Sequence, residues 1–462
     1  MTSRELVLNT LILKSCERTP WVPFVGVHGA SLIGEKFSDY LRSKQLIVKG
    51  VTAAIENYKP DGIPVIFDLQ LEAEALGCSV VWADDNPPSV VGHPLALGES
   101  IDNLVIPQLN HGRVGVVMET TRELRLLYPD IALYGLVTGP FTLALHLLGT
   151  DIFMKLFMDE QYVHDLMRFC TEVAKTMSRY YLDAGCDVIA VVDPMVSQIG
   201  TEQFEQFVLP YATEIFDYIR TEDGLSSLFV CGDAQHNIDS MCRCRPDNIS
   251  VDENISLSYV KQRCLQNGIS FGGNLKLTST LLLGTEQECE KDAAECMDTG
   301  GNLGYIVSPG CDLPYATKIE NLKAVSEVVL DQYRLNVVRA ISEFNMSCAH
   351  SDDISSGEDL VSVYKENRYL TVDVITLDSG ACAPCQYMMS AVLNASEQFG
   401  DGVRVVEHKI KTTEGLKMMR VLNVKKIPTI CIDGETIFSS VIPAADALKE
   451  VIFKKLENKQ RE

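Results

Sequence analysis

The sequence predicts an α/β fold in two parts, a (β/α)8 TIM barrel followed by a smaller α/β domain. Three observations lead to this prediction. Short strand patterns rich in Val, Ile and Phe alternate with helical patterns over about the first 330 residues. A polar, acidic stretch then interrupts the periodicity. A second, shorter alternation of strands and helices follows it. For the first part, a doubly wound open sheet is the structural alternative.

Composition narrows the class of protein. The 462 residues are 46% hydrophobic and 22% charged, which is typical of a protein with a sizeable core. The net charge of −23 argues against binding nucleic acid through its phosphates. The amino terminus has no apolar signal region and no run is long enough to span a bilayer, so we expect a cytoplasmic protein with no membrane partner. The 15 cysteines are then mostly reduced, and are better explained as metal-binding, catalytic or buried residues than as a disulfide framework.

The first part opens with a helix, because Thr2 and Glu5 have the spacing of a capping box. Eight predicted strands follow, and each leads into a polar or glycine-containing turn. Helical patterns such as 152–184 and 203–220 lie between them. The predicted strands are 22–27, 63–67, 132–137, 187–192, 227–230, 249–251, 269–271 and 304–307.

Chemically active residue types come directly after these strands. In a TIM barrel the active site lies at the carboxyl ends of the strands, so we expect these side chains to surround one site. The alternative is that they are polar only because turns are polar. The candidates are His28, Asp68, Thr138, Asp193, Cys231, Asp233, Asp252, Glu253, Asn274 and Cys311.

Two of these candidates are thiols. Cys231 and Cys311 each end a predicted strand and lie beside a glycine, which suggests that their sulfurs meet at one mouth of the sheet. Thiolates paired in this way usually bind a metal or act as nucleophiles. The alternative is two buried, inert cysteines.

The remaining segments set the predicted domain boundaries. Residues 77–110 form an insertion after the second strand and are expected to make a hairpin or a lid. A long helix is predicted over 313–344, and the polar residues that follow it are interpreted as a linker. The prediction is therefore a barrel domain at 1–346, a linker at 347–368 and a second domain at 369–462.

The second domain has a βαβαββα order and resembles thioredoxin. Cys382-Ala-Pro-Cys385 opens its first helix, and Ile427-Pro428-Thr429 matches the cis-proline loop of that fold. The resemblance implies that Cys382 is an exposed attacking thiolate, that Cys385 is the resolving thiol, and that Pro428 positions the substrate. A helix amino terminus lowers the pKa of a thiol, which suits the first of these roles. A docking module without redox activity is the alternative.

The first part resembles the uroporphyrinogen decarboxylase superfamily, and within it the cobamide-dependent methyltransferases that act with coenzyme M or related acceptors. The motifs that carry the resemblance are FDLQLEAEALG at 67–77, TGPF at 138–141, DP at 193–194, FVLPY at 207–211, GGN at 272–274 and SPGCDLP at 308–314. These methyltransferases have a zinc site of the form H-x-C…C. The resemblance places Cys231 and Cys311 as the second and third ligands, and Phe229 stands at the first position.

A zinc site therefore needs another ligand, for which Asp233, Glu253 or His236 are candidates by proximity in sequence. Asp193 is predicted to be catalytic or to orient ligands. The predicted contacts to substrate or cofactor are His28, Asp68, Asp252, Glu253 and Asn274.

Three functions follow from this interpretation. The first is a methyltransferase of corrinoid-dependent one-carbon metabolism, with zinc as cofactor, a partner protein that carries a corrinoid (cobalamin-type) group, and a small-molecule methyl donor or acceptor. The second is a tetrapyrrole decarboxylase, which fits less well because residues 26–30 lack the arginine that such enzymes place there. The third is a non-catalytic corrinoid-binding or redox adaptor. The oligomeric state is left open, with a homodimer as one option.

Overall fold

The computed structural model describes residues 1–348, Tyr364, 367–380, 382–424 and 426–461. The chain divides into two compact units, Met1–Glu343 and Phe344–Glu462, called here the amino-terminal and carboxy-terminal units.

The amino-terminal unit is built on a curled parallel sheet, so the predicted α/β class is confirmed for it. Seven strands hydrogen-bond in the order β1-β4-β5-β6-β7-β8-β9, and every neighbouring pair is parallel. β2 and β3 form a separate antiparallel hairpin. The strands are β1 Gly62–Pro64, β2 Ser79–Val81, β3 Ser89–Gly92, β4 Ala132–Thr138, β5 Val188–Val192, β6 Leu225–Val230, β7 Asn248–Val251, β8 Ser270–Leu275 and β9 Tyr305–Pro309.

Helices connect the parallel strands, as a parallel sheet requires. Among the described helices, none alone is long and apolar enough to cross a bilayer, and only the bent pair Pro140–Leu148 and Asp151–Met158 meets those criteria together. The α-helices that lie or begin in this unit are Ser3–Leu11, Val27–Leu32, Phe37–Tyr40, Lys44–Tyr58, Leu71–Ala75, Val114–Leu127, Pro140–Leu148, Asp151–Met158, Glu160–Ala184, Thr201–Phe207, Leu209–Thr221, Ile238–Arg243, Leu257–Gln266, Glu286–Gly300, Ile319–Leu330 and Gln332–Cys348.

The first of the eight predicted strands, 22–27, is not a strand in the structure. Only a single parallel bridge joins Trp21 to Val307, and a helix begins at Val27. Proline has no N–H to give to a ladder, and Pro20 and Pro23 flank the bridge. The short segment still forms backbone hydrogen bonds to a neighbour on each side. The Val22 N–H donates to Val307 O of β9 at 3.0 Å, and the Trp21 carbonyl accepts from the N–H of Asp61, just before β1, at 2.8 Å.

The core of the unit lies inside the curl of the sheet. Alternate residues of β4 and β5 are fully or almost fully buried there and face the same side. Val7 and Leu11 of the first helix join this cluster, and that helix carries the capping box predicted at Thr2 and Glu5. The cluster comprises Val7, Leu11, Val22, Phe24, Phe67, Ala132, Tyr134, Leu136, Val188, Ala190, Val192, Phe229 and Ile306.

Two connecting segments differ in detail from the prediction. The insertion at 77–110 contains the β2–β3 hairpin, so the hairpin alternative is confirmed. The helix predicted over 313–344 is instead two helices, Ile319–Leu330 and Gln332–Cys348, because Asp331 between them has an extended backbone. The second helix runs two residues into the predicted linker 347–368, of which 349–363 and 365–366 lie outside the described residues.

The carboxy-terminal unit contains a four-stranded sheet in the order β11-β10-β12-β13. β10 pairs with β11 in parallel and with β12 in antiparallel fashion, and β12 and β13 form a hairpin. The elements are β10 Leu370–Thr376, helix Ala383–Ser396, β11 Val403–Lys409, helix Thr413–Val421, β12 Thr429–Ile432, β13 Glu435–Ser439 and helix Ala445–Arg461.

Candidate functional site

The two thiols that the sequence singles out meet at the carboxyl ends of the parallel strands. Cys231 follows β6 and Cys311 follows β9, and their Sγ atoms lie 2.8 Å apart. These strands are separated by two others, so in a flat sheet they would be about 14 Å apart, three spacings of about 4.8 Å. The curl of the sheet therefore brings the sulfurs together across its concave side.

The two cysteines lie in a region that we call the thiol rim (residues 231–233, 252–253 and 310–312). Two glycines of this region lie directly beside them. Gly232 has φ +90°, a left-handed conformation that favours glycine. Gly310 packs so closely that a Cβ there would lie 2.8 Å from the backbone nitrogen of Glu253. The positions next to the two cysteines therefore favour glycine, one for its backbone conformation and the other for its close packing.

Acidic side chains contribute to the thiol rim next to both cysteines. The Gly232 N–H donates to the carboxylate of Asp252, and burial raises the pKa of that carboxyl. Burial, reinforced by the charge of Asp252, raises the pKa of Glu253 to about 8, and the Leu277 N–H donates to its Oε2. Glu253 is therefore largely protonated at neutral pH.

The other residues predicted to contact a substrate or a metal at this end of the sheet form hydrogen bonds within the protein. The Asn274 amide donates to the carbonyls of Asp252 and Ile255 at 3.1 and 2.7 Å. Asp233 accepts from the Gln235 N–H at 3.4 Å. His236 is exposed, and its Nε2 is 2.9 Å from the Ile199 carbonyl. Among the described residues, neither Asp233 nor His236 forms with the two thiols a group arranged to hold a metal ion.

The residues present do not fit the predicted zinc site. Within the described part of the chain, no group of three or more His, Cys, Asp or Glu side chains is arranged to hold a metal ion. Phe229, at the position of the missing ligand, is buried in the core with its ring centroid 4.7 Å from that of Phe24. Without a ligand at position 229, the two cysteines alone are fewer than the three or four ligands that zinc needs.

Asp193, predicted to be catalytic, caps a helix. Its carboxylate accepts from the Phe141 N–H at 3.0 Å and from the Thr142 N–H and hydroxyl at 2.8 and 2.6 Å. Burial raises the pKa of Asp193 to about 6, although these hydrogen bonds oppose the shift. The structure therefore gives this carboxylate a positioning role at the start of the helix Pro140–Leu148.

His28 and Asp68, predicted to bind substrate, are buried and bonded within the protein. The Nε2 of His28 is 2.6 Å from the Tyr58 hydroxyl, and its Nδ1 is 3.4 Å from the Tyr315 carbonyl. Burial lowers the pKa of His28 to about 4, so its ring is neutral at pH 7. Asp68 accepts from Arg113 Nη1 at 2.5 Å. Both side chains therefore link parts of the amino-terminal unit that are distant in sequence.

Two buried charged residues near Asp68, Arg113 and Glu72, were not predicted from the sequence. Arg113 bridges Asp68 and Glu74, with 2.7 Å between its Nε and a Glu74 oxygen. Glu72 is fully buried and accepts from the Thr138 hydroxyl at 2.7 Å. The acids lie within the motif at 67–77, but their partners are 39 or more residues away, so the local pattern gives no signal for them.

The carboxy-terminal unit brings together the residues predicted for its dithiol. Cys382 is the N-cap of the helix Ala383–Ser396 and is half-buried, and Cys385 is fully buried one turn later. Burial, followed by a hydrogen bond with Cys382, raises the pKa of Cys385 well above its ordinary value. The Leu377 N–H donates to the Cys385 sulfur at 3.3 Å. The Ile427–Pro428 peptide bond is cis.

Known proteins resemble this chain over more than half of its length. The chain is 31% identical over 271 residues to the methylcobamide:CoM methyltransferase MtbA of Methanosarcina acetivorans, covering 58% of this chain and 78% of that protein. It is 26% identical over 307 residues to the uroporphyrinogen decarboxylase of Anaeromyxobacter dehalogenans, covering 63% and 87%. A solved methyltransferase from Methanosarcina mazei shares the fold with a TM-score of 0.65 at 23% identity, covering 74% of this chain and 99% of that chain.

A family model agrees with these relatives. The model described as "Uroporphyrinogen decarboxylase (URO-D)" matches residues 2–331, which is most of the amino-terminal unit. The chain therefore belongs to the uroporphyrinogen decarboxylase (URO-D) family.

Proposed function

We propose that the amino-terminal unit transfers a methyl group between a methylcobamide and a thiol. The single observation that carries this proposal is the pair of sulfurs, 2.8 Å apart, at the carboxyl ends of β6 and β9. In this family fold the carboxyl ends of the strands are the expected place for chemistry. The names of relatives such as MtbA support methylcobamide and a thiol as the two substrates. A separate protein that carries the corrinoid is the partner we propose.

The thiol rim suits a thiol substrate. A substrate thiolate becomes the nucleophile when it attacks a methyl group, and it needs hydrogen-bond donors that keep it ionised and oriented. The S–H groups of Cys231 and Cys311 are weak donors, and their sulfurs lie together at the carboxyl ends of β6 and β9. The carbon–cobalt bond breaks with its electrons remaining on the donor, and a carbon–sulfur bond forms on the acceptor.

A decarboxylase is the weaker candidate. Tetrapyrrole carboxylates need cations, and residues 26–30 carry no arginine. The Gly26 N–H already donates to Asp312 at 2.8 Å, so this backbone donor is also used. The loop therefore offers little to a substrate with several carboxylates.

Methyl transfer from methylcobalamin to coenzyme M tests the proposed function. We expect turnover by the full chain, and a roughly 10- to 100-fold lower kcat/KM for Cys231→Ala and for Cys311→Ala, because each removes one donor to the acceptor sulfur. Cys16→Ala, a half-buried thiol outside the thiol rim, is the matched control and should retain full activity. Turnover of uroporphyrinogen without methyl transfer would replace this proposal with the decarboxylase.

We further propose that the amino-terminal unit is a closed (β/α)8 barrel and the carboxy-terminal unit a thioredoxin-like redox domain. Support for closure comes from the backbone bonds that residues 20–22 make towards both β9 and β1. Support for the redox domain comes from the half-buried Cys382 at a helix start with Cys385 buried beneath it. A dithiol of this form accepts and donates electrons by thiol–disulfide exchange.

The dithiol predicts how a variant without Cys385 reacts with thiol-containing partners. We expect Cys385→Ser to accumulate mixed disulfides at Cys382 with thiol-containing partners, because the resolving thiol that would release them is gone. Peptide mass spectrometry after acid quenching identifies them. Cys431→Ser, which removes a buried cysteine outside the C-x-x-C motif, is the control and should trap nothing. A Cys385→Ser protein that traps no more than this control would leave the unit as a docking module.

A further inference from the structure

We propose that Cys231 and Cys311 form a reversible disulfide, so that the thiol rim is a metal-free modification site for low-molecular-weight disulfides. Formation of this disulfide is independent of the methyl transfer proposed above, whereas its effect on activity rests on that proposal. No described residue completes a metal site around the pair.

The geometry of the pair favours the disulfide. The Sγ atoms are 2.8 Å apart, and an S–S bond is about 2.0 Å long, so the sulfurs need to approach by less than about 1 Å. The tight packing of Gly310 against the backbone of Glu253, and the bond from Gly232 to Asp252, hold both cysteines near this distance before oxidation. Little chain entropy remains to be lost when the bond forms.

The surroundings of Cys231 explain why a metal does not take its place. Cys231 packs against the apolar core that contains Phe229. The Phe229 ring has two aromatic neighbours, Phe24 and Phe67, at centroid distances of 4.7 and 5.8 Å. A third soft ligand is therefore missing on the side where the family pattern requires one. Two sulfurs alone fall short of the three or four ligands that zinc needs.

A second thiol pair in the same unit provides an internal comparison. Cys242 and Cys264 are joined by a thiol hydrogen bond, but they are only 3% and 0% exposed. Cys231 and Cys311 are both partly exposed. An attacking thiolate must reach a sulfur of the reagent in line with the S–S bond that breaks, so exposure decides which pair reacts. The thiol rim should react and the buried pair should not.

The reaction is an ordinary thiol–disulfide exchange. One thiolate of the pair attacks a sulfur of the organic disulfide, the S–S bond of the reagent breaks, and one small thiolate leaves. The second cysteine loses its proton and attacks the mixed disulfide, which releases the second small thiolate. In total, two cysteine thiols lose two electrons and two protons, and one organic disulfide becomes two thiols. A small dithiol reverses both steps.

The test uses the full chain with Cys382→Ser and Cys385→Ser, so that the carboxy-terminal dithiol does not interfere. The protein is treated with 2-hydroxyethyl disulfide, acid-quenched, alkylated and digested for peptide mass spectrometry. We expect a linked peptide pair containing Cys231 and Cys311 that disappears on treatment with dithiothreitol. Cys242 and Cys264 should remain alkylated as free thiols. Cys311→Ala should give only a mixed disulfide at Cys231.

Two results would overturn the inference. The first is that Cys231 and Cys311 of the folded protein are both recovered as alkylated thiols, under conditions in which the reagent oxidises the accessible thiols of the unfolded protein. The second is stoichiometric zinc in the purified protein that protects both thiols and is lost in Cys231→Ala. In the methylcobalamin assay, we expect the oxidised form to be at least tenfold less active and to recover with dithiothreitol. A disulfide that forms with no change in methyl transfer would count against the proposed function and leave the modification site standing.

Discussion

Replacing Arg113 with methionine is expected to lower the free energy of unfolding of the amino-terminal unit by about 3–5 kcal/mol. Arg113 is 6% exposed and bonds to Asp68, which is 2% exposed, and to Glu74. Methionine preserves much of the apolar stem but leaves the Asp68 carboxylate buried without its cation. An unpaired charge in such a place costs far more than an exposed ion pair contributes.

Urea denaturation followed by tryptophan fluorescence measures this change, because Trp21 and Trp82 both belong to the amino-terminal unit. Arg168→Met is the matched control. Arg168 pairs with Asp165 on an exposed helix surface, so its loss should change stability by less than about 0.5 kcal/mol. Equal effects of the two substitutions would show that the bridge from Arg113 is no more important than a surface contact.

Replacing Glu72 with glutamine is expected to make the protein more stable at pH 8 than the wild type, with the advantage shrinking as the pH falls. Burial raises the pKa of Glu72 to about 7 from an ordinary value of 4.5. The unfolded chain therefore releases this proton at a lower pH than the folded chain does, and the wild type loses stability as pH rises from about 4.5 to 7. Glutamine does not titrate and has no such loss.

The expected gain of Glu72→Gln over wild type grows by about 2–3 kcal/mol between pH 5 and pH 8, since one pKa unit corresponds to about 1.4 kcal/mol. Urea titrations at several pH values measure it. Glu119→Gln, at an exposed position on the helix Val114–Leu127, should show no pH-dependent gain. A constant difference between Glu72→Gln and wild type across this range would mean that Glu72 is ionised in the folded protein throughout it.

The thiol pair was predictable because its signal is local. Each cysteine ends an apolar strand and lies beside a glycine, and parallel strands present their carboxyl ends on one side. The dithiol of the second unit has the same kind of signal, since Cys382 and Cys385 are one helical turn apart. Patterns that depend on a strand end or a helix turn can be recognised without knowing the rest of the fold.

Long-range partners could not be predicted in this way. Asp193 follows its strand as expected, but the helix that it caps starts about fifty residues earlier, at Pro140. The ring of His28 is bonded to Tyr58 rather than open to a ligand, and nothing near residue 28 indicates this. The strand expected at 22–27 failed for a local reason that was visible, since Pro20 and Pro23 each remove a backbone donor.

The aromatic packing of Phe229 restricts how this site can change during evolution. A single substitution to histidine at 229 is expected to give a poor metal ligand, because the imidazole would replace a ring that packs against Phe24 and Phe67. Burying such a polar group without a partner costs about 1–3 kcal/mol, and the aromatic contacts would be lost as well. We therefore expect a gain or loss of the ligand to require changes in neighbouring core residues, so that phenylalanine at 229 varies together with positions 24 and 67 among related sequences.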